Sequence, residues 1–104
     1  MNDAAPAPDI DAIDVYWRPG CPYCAMLLRS LKRRPVPMRL HNIWEDDRAA
    51  ATVRRAANGN ETVPTVLVGD RALVNPSMGT LVGVLRDVAP HLAPGERRRR
   101  FGRR

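Results

Sequence analysis

Residues 13–28 read Ile13-Asp14-Val15-Tyr16-Trp17-Arg18-Pro19-Gly20-Cys21-Pro22-Tyr23-Cys24-Ala25-Met26-Leu27-Leu28, and a change of period inside this stretch decides the fold. Ile10, Ala12, Ile13, Val15, Tyr16 and Trp17 form a β-branched and aromatic run that breaks at Pro19-Gly20, which predicts a first strand and a loop. Beyond the loop, Cys24, Leu27, Leu28 and Leu31 fall at i, i+3, i+4 and i+7, one face of a helix, until Pro35 ends the pattern. A strand leads directly into a helix, with two cysteines at the junction.

Reading outward, Val36, Met38 and Leu40 alternate with Pro37, Arg39 and His41, which predicts a second strand with one wet face. Glu45-Asp46-Asp47 places anions at the start of an Ala-rich second helix that closes at Asn58-Gly59. Val63 to Val68 is a compact β-branched run, and Gly69-Asp70 suits a tight turn into Ala72-Leu73-Val74, so strands three and four are expected to be antiparallel. Ser77 can cap a last helix whose Leu81, Val84, Leu85 and Val88 face the sheet, with Pro90 limiting it. Gly79 and Gly83 each weaken that helix by about 1 kcal/mol relative to Ala. The order is βαβαββα. A right-handed parallel β-α-β crossover then predicts an α/β domain with a four-stranded mixed sheet and helices on both faces.

A chain of 104 residues fits one domain. Hydrophobic residues make up 44% and charged residues 27%, ordinary globular usage that argues against wholesale disorder. No apolar run reaches the roughly 18 to 20 residues of a membrane span. The formal charge of +6 belongs to one end: Arg97, Arg98, Arg99, Arg100, Arg103 and Arg104 follow residues 1–96, which hold 11 basic and 11 acidic side chains. A nucleic-acid-binding domain is expected to spread its basic residues over a folded face, so nucleic acid enters only as a weak partner of the tail. The cluster Lys32-Arg33-Arg34 inside the domain is read as complementing a helix carbonyl end. Residues 1–10 read as a flexible leader, 11–93 as the domain and 94–104 as an Arg-rich tail. The first residues lack the basic-then-apolar pattern of a signal peptide, and a cytoplasmic, reducing setting is expected for a monomer.

In that setting Cys21-Pro22-Tyr23-Cys24 carries the chemistry. With Cys21 as N-cap, Pro22 occupies the first helical position, where its fixed φ is compatible and its missing N–H costs nothing. Cys24 is then one turn in, its backbone N–H directed at the cap side chain. A sulfur at Cys21 would face unpaired N–H groups and the positive end of the helix dipole, which favour thiolate over thiol. Cys21 is therefore expected to be the nucleophile and Cys24, on the apolar face, the resolving thiol. Arg18, three residues before Cys21, adds a cation for the thiolate or for an anionic thiol substrate, and Tyr23 is expected to shield the sulfur. A structural disulfide is disfavoured by the reducing setting and the short span. Zinc would need further ligands, and the two histidines, His41 and His91, are unpaired. No bound metal or cofactor is expected.

These residues resemble the glutaredoxins, members of the thioredoxin fold, over roughly residues 11–92. Arg18-Pro19-Gly20-Cys21-Pro22-Tyr23-Cys24 looks like the family's active site, and Thr62-Val63-Pro64 like its second signature. The resemblance implies a cis Pro64 and a Val63 backbone that pairs with the peptide portion of a bound thiol, a small case of strand addition. Glutaredoxins usually carry Gly-Gly followed by acidic residues at the start of the last helix, where the γ-glutamyl group of glutathione is held. Here that stretch is Val74-Asn75-Pro76-Ser77-Met78. Asn58-Gly59-Asn60-Glu61-Thr62-Val63-Pro64 with Asn75-Pro76-Ser77 instead looks like mycoredoxins, bacterial proteins that use mycothiol, and one Lys against 16 Arg fits a GC-rich genome of that kind.

The resemblance implies a thiol–disulfide oxidoreductase acting on S-thiolated proteins, with a low-molecular-weight thiol as co-substrate, mycothiol before glutathione. Arg18, Pro22, Tyr23, Thr62, Val63, Pro64, Asn75 and Ser77 are the expected thiol-binding residues. Thioredoxin or a mycothiol-disulfide reductase would stand upstream. The alternatives are a thioredoxin-reductase-coupled redoxin that supplies ribonucleotide reductase, and a binding module acting through the Arg-rich tail.

Overall fold

The computed structural model describes residues 9–95; most of the expected leader, and the arginines of the expected tail, lie outside them. Strand β1 (Ile13–Trp17) is followed by helix α1 (Pro22–Arg33), β2 (Met38–Asn42), α2 (Asp47–Ala56), β3 (Thr65–Val68), β4 (Arg71–Val74) and α3 (Met78–Val88), with a short 3-10 turn at Pro90–Leu92. The sheet order is β2-β1-β3-β4. β1 pairs with β2 in parallel, Val15 opposite Leu40, and with β3 antiparallel, Val15 opposite Val66. β3 and β4 form the expected antiparallel hairpin, Val68 opposite Arg71. This is the α/β thioredoxin-like arrangement: a parallel crossover through α1, then a hairpin.

Each helix starts where its sequence offers an oxygen or sulfur to the free N–H groups of the first turn. Cys21 Sγ accepts from the Cys24 N–H, Asp46 from Arg48 and Ala49, and Ser77 from Thr80. Asn58 (φ 57°) and Gly59 (φ 89°) turn the chain out of α2, with the Gly59 N–H donating to the Arg54 carbonyl, a left-handed helix ending of a common type.

Two apolar layers sandwich the sheet. On one face Ile13, Val15, Val66 and Val68 pack with Leu27 and Leu31 of α1 and with Leu81, Val84 and Leu85 of α3. On the other, Tyr16 and Val63 pack with Ala49, Ala50 and Val53 of α2 and with Cys21 and Cys24. The cysteine pair therefore joins the layer beneath α2, although α1 itself lies mainly over the opposite layer.

The second strand departs from its predicted wet-face pattern. Leu40 is 51% exposed, and His41 is half-buried with its ring stacked on Tyr16 at 4.6 Å between centroids. β2 lies at a sheet edge, where helices on either face need not reach. Its polar side chains are instead held at the surface of β1: Arg39, exposed, donates to Asp14 and to Asp11 just before the strand, and His41 Nε2 lies 2.9 Å from Asp14 Oδ1. Burial pushes the Asp14 carboxyl up, but the Arg39 and His41 hydrogen bonds outweigh it and hold the group below its ordinary value. Val36, expected in the strand, is buried just before it, and Ile10 packs against the core from outside β1. Among the described residues no helix is long and apolar enough to cross a membrane.

Candidate functional site

Cys21 is the N-cap of α1, in extended backbone (φ −103°, ψ 107°), with Pro22 at the first helical position. Its Sγ accepts from the Cys24 N–H at 3.1 Å and lies 3.7 Å from the Val63 carbonyl oxygen. The Val63–Pro64 peptide bond is cis, Pro64 is buried, and the hydroxyl of Thr65 donates to the Thr62 carbonyl, which closes the backbone turn beneath it. An electron-rich sulfur thus sits at the positive end of a 12-residue helix with one N–H donated to it. Beside it is a carbonyl that a thiol can reach as donor.

The two sulfurs differ in surroundings. Cys21 keeps 8% of its surface in water and Cys24 2%. Both border a hollow of about 170 Å³ with Trp17, Arg18, Pro19, Gly20, Ala25 and Leu28. Burial pushes the Cys24 thiol up to about 12, and its hydrogen bond with Cys21 adds to the rise, against a smaller opposing effect of Arg18. Cys24 therefore stays a protonated thiol at pH 7. Iodoacetamide at pH 7 is therefore expected to label Cys21 in the native protein and Cys24 only after unfolding; mass spectrometry showing both labelled at one rate would reverse the assignment of roles.

The remaining expected site residues divide between two places. Arg18 borders the hollow, but its guanidinium lies 5.4 Å from the centre of the Trp44 ring and donates to the Pro19 carbonyl, not to either sulfur. Tyr23 was expected to cover the sulfur. It is 61% exposed and lines a separate groove of about 370 Å³ with Met26, Ser30, Asn75, Ser77 and Met78, since position 23 falls on the opposite flank of α1 from Ala25 and Leu28. Asn75, at φ 49°, donates its N–H to the Pro64 carbonyl at 2.7 Å, so the loop before α3 is tied to the cis-proline turn. Ser77 spends its oxygen on capping α3 and on Thr80 Oγ1. Pro22 is exposed at the mouth of the helix.

Trp44, which the sequence left without a role, is 63% exposed and carries the Arg18 guanidinium on its ring. Its position became readable only once the β2–α2 turn, closed by the Trp44 N–H donating to Asn42 Oδ1, was seen to come back beside Arg18. No cluster of three or more His, Cys, Asp or Glu side chains suited to a metal occurs among the described residues.

The glutaredoxin sequence model matches residues 13–73, which contain both cysteines and the cis-proline turn. A probable glutaredoxin of Synechocystis sp. is 30% identical over 59 residues, 57% of this chain and 67% of that protein. Among solved structures, a mutant of a thioredoxin-like protein superposes with a TM-score of 0.64 at 22% identity, covering 73% of this chain and 96% of its own. The glutaredoxin of Archaeoglobus fulgidus gives 0.63 at 23%, covering 75% and 89%. The structural likenesses speak for the fold, while the sequence match extends over more than half of the chain and takes in the helix mouth where Cys21 stands. The chain belongs to the glutaredoxin family and is a thiol–disulfide oxidoreductase.

Proposed function

We propose that the protein removes a low-molecular-weight thiol from S-thiolated proteins, and that this thiol is mycothiol. The observation that carries the reading is the asymmetry of the two sulfurs: Cys21 at the helix mouth with a backbone donor on it, Cys24 buried and pushed up to about 12. Cys21 thiolate attacks the thiol-side sulfur of the protein mixed disulfide. That S–S bond breaks, the protein cysteine leaves as thiolate and takes a proton, and Cys21 is left disulfide-bonded to the small thiol.

Two routes restore Cys21. A second small thiol can attack the bound one and leave as its symmetric disulfide, or Cys24 can attack Cys21 and close an intramolecular disulfide. Thiolate is the attacking species, and burial, the largest cause of the Cys24 rise, acts on it also when Cys21 is disulfide-bonded, which favours the first route near neutral pH. The chain then works chiefly as a monothiol catalyst. The Val63 carbonyl, which the reduced Cys21 thiol reaches, is free to accept from an amide of the bound thiol once that thiol hydrogen is gone.

The preference for mycothiol is supported by the loop before α3. It offers Asn75, Pro76 and a Ser77 already committed to its cap, with no carboxylate for an α-amino group between Val74 and Met78. Turnover of one mixed-disulfide peptide should be compared with mycothiol, with glutathione and with NADPH plus thioredoxin reductase as donors. Mycothiol is expected to support the fastest turnover. Equal rates with glutathione would remove the preference, and turnover by thioredoxin reductase without any small thiol would replace the reading with the ribonucleotide-reductase type of redoxin.

A further inference from the structure

Trp44 takes no part in the chemistry at Cys21, yet it stands at the same rim of the molecule. Arg18 and Trp44 lie just past the carboxyl ends of β1 and β2, the parallel pair, which is the side on which open α/β sheets bind ligands. The Arg18 guanidinium lies 5.4 Å from the centre of the indole ring and spends one donor on the Pro19 carbonyl. It also runs along the loop that feeds the nucleophile, since a Cβ on Gly20 would sit 3.8 Å from its Nη1. A shelf thus leads from the Cys21 sulfur past Gly20 and Arg18 to an indole that is 63% exposed. It carries donors on Arg18 and the indole N–H, and the exposed acids Glu45 and Asp47 that follow Trp44 add acceptors. That mixture suits hydroxyl groups, which both give and accept. A carboxylate, which only accepts, would meet Arg18 but also those acids.

We propose that this shelf holds the sugar portion of the small thiol, so that Trp44 and Arg18 tell a sugar-linked cysteine from a bare one. The inference rests on the reading that mycothiol is the co-substrate. Mycothiol is an N-acetylated cysteine whose carboxyl group is joined by an amide to an amino sugar bearing an inositol, a neutral chain of two hydroxyl-covered rings. A cysteine paired in extended form with the Val63 backbone sends its two arms opposite ways. The groove beside Asn75 lies on one flank of α1 and the hollow beside Arg18 on the other, one for each arm. The loop from Val74 to Met78 has no carboxylate to hold an α-amino group, which suits the short acetyl arm. The ring-bearing arm is left the way to Trp44. There the C–H face of a ring lies on the indole, and its hydroxyl edge meets Arg18 and Glu45.

The test reads the single-turnover rate constant with which the reduced full chain takes a small thiol from one peptide cysteine. Three thiols are compared: mycothiol, N-acetylcysteinamide, which lacks the rings, and N-acetylcysteinylglycine, which puts a carboxylate beyond the amide where the sugar begins. Mycothiol is expected to be taken about fivefold or more faster than N-acetylcysteinamide, the worth of one aromatic face and a hydrogen bond at an exposed site. Trp44→Ala should bring that ratio to within about twofold of one, and Trp44→Phe should restore most of it. Because the ratio is taken within one protein, general damage cancels. A second readout does not depend on rate. In Cys24→Ser, which keeps Cys21 bonded to the small thiol, acrylamide should quench indole emission less in the mycothiol adduct than in the N-acetylcysteinamide adduct, and Trp44→Phe should remove the difference. A wild-type ratio within about twofold of one, a ratio unmoved by Trp44→Ala, or N-acetylcysteinylglycine outrunning mycothiol each overturns the proposal. Glutathione supporting turnover as fast as mycothiol, while Trp44→Ala still lowers the ring-dependent ratio, would refute the proposed co-substrate and leave the shelf standing as a sugar site. Mycothiol outrunning glutathione with that ratio unmoved would do the reverse.

Discussion

Cys21→Ser is expected to lower reduction of a protein–thiol mixed disulfide by about 10³-fold or more, because a serine hydroxyl at neutral pH is a far weaker nucleophile than a thiol and has no base placed to activate it. The cap itself survives the change, since a serine oxygen accepts the Cys24 N–H at least as well as sulfur does. Stability should therefore hold while activity is lost, and circular dichroism with a melting curve separates the two. Cys24→Ser should keep activity with a small thiol within about threefold of wild type, since Cys24 is so seldom a thiolate. The pair of variants is diagnostic. A Cys21 variant retaining more than about a tenth of the activity would remove the nucleophile, and a Cys24 variant as dead as the Cys21 variant would make the dithiol route obligatory.

The second large effect is on stability. Leu31→Ala is expected to cost about 2 to 5 kcal/mol, because Leu31 has no exposed surface and sits in the layer that α1 forms with Ile13, Val15 and Leu85 on one face of the sheet. A domain of this size commonly has about 5 to 15 kcal/mol in all, so much of the margin goes with one side chain. Leu40→Ala should lie within about 0.5 kcal/mol of wild type, its side chain being half in water on the edge strand. Urea unfolding of both variants checks this. Equal losses would mean that Leu40 is covered and that the edge assigned to β2 is wrong.

From sequence alone these two leucines look alike, each on a periodic apolar face, and the difference between them marks the limit of pattern reading. Period tells which side of an element is apolar, but not whether anything packs against it. Leu31 meets a helix and a sheet, whereas Leu40 stands on the outer strand, beside Val15 but uncovered. His41 is the converse. Its register opposite Tyr16, with Asp14 beside both, draws a polar ring partly inside.

The amino-acid sequence by itself determined the order of elements, the helix starts at Cys21 and Ser77 and that of the second helix to within Glu45-Asp46-Asp47, the hairpin at Gly69-Asp70 and the placing of a cysteine pair at a strand-to-helix junction. All of these depend on residues within a few positions of each other: caps, breakers and periods act locally through backbone hydrogen bonds and fixed dihedrals. Only the tertiary structure decided what faces what. It brought the Val63 carbonyl, 42 residues away, to the Cys21 sulfur, and turned Arg18 onto Trp44 and Tyr23 into the groove beside Asn75. Such meetings arise from how the sheet and helices pack over long sequence separations, and no local period records them.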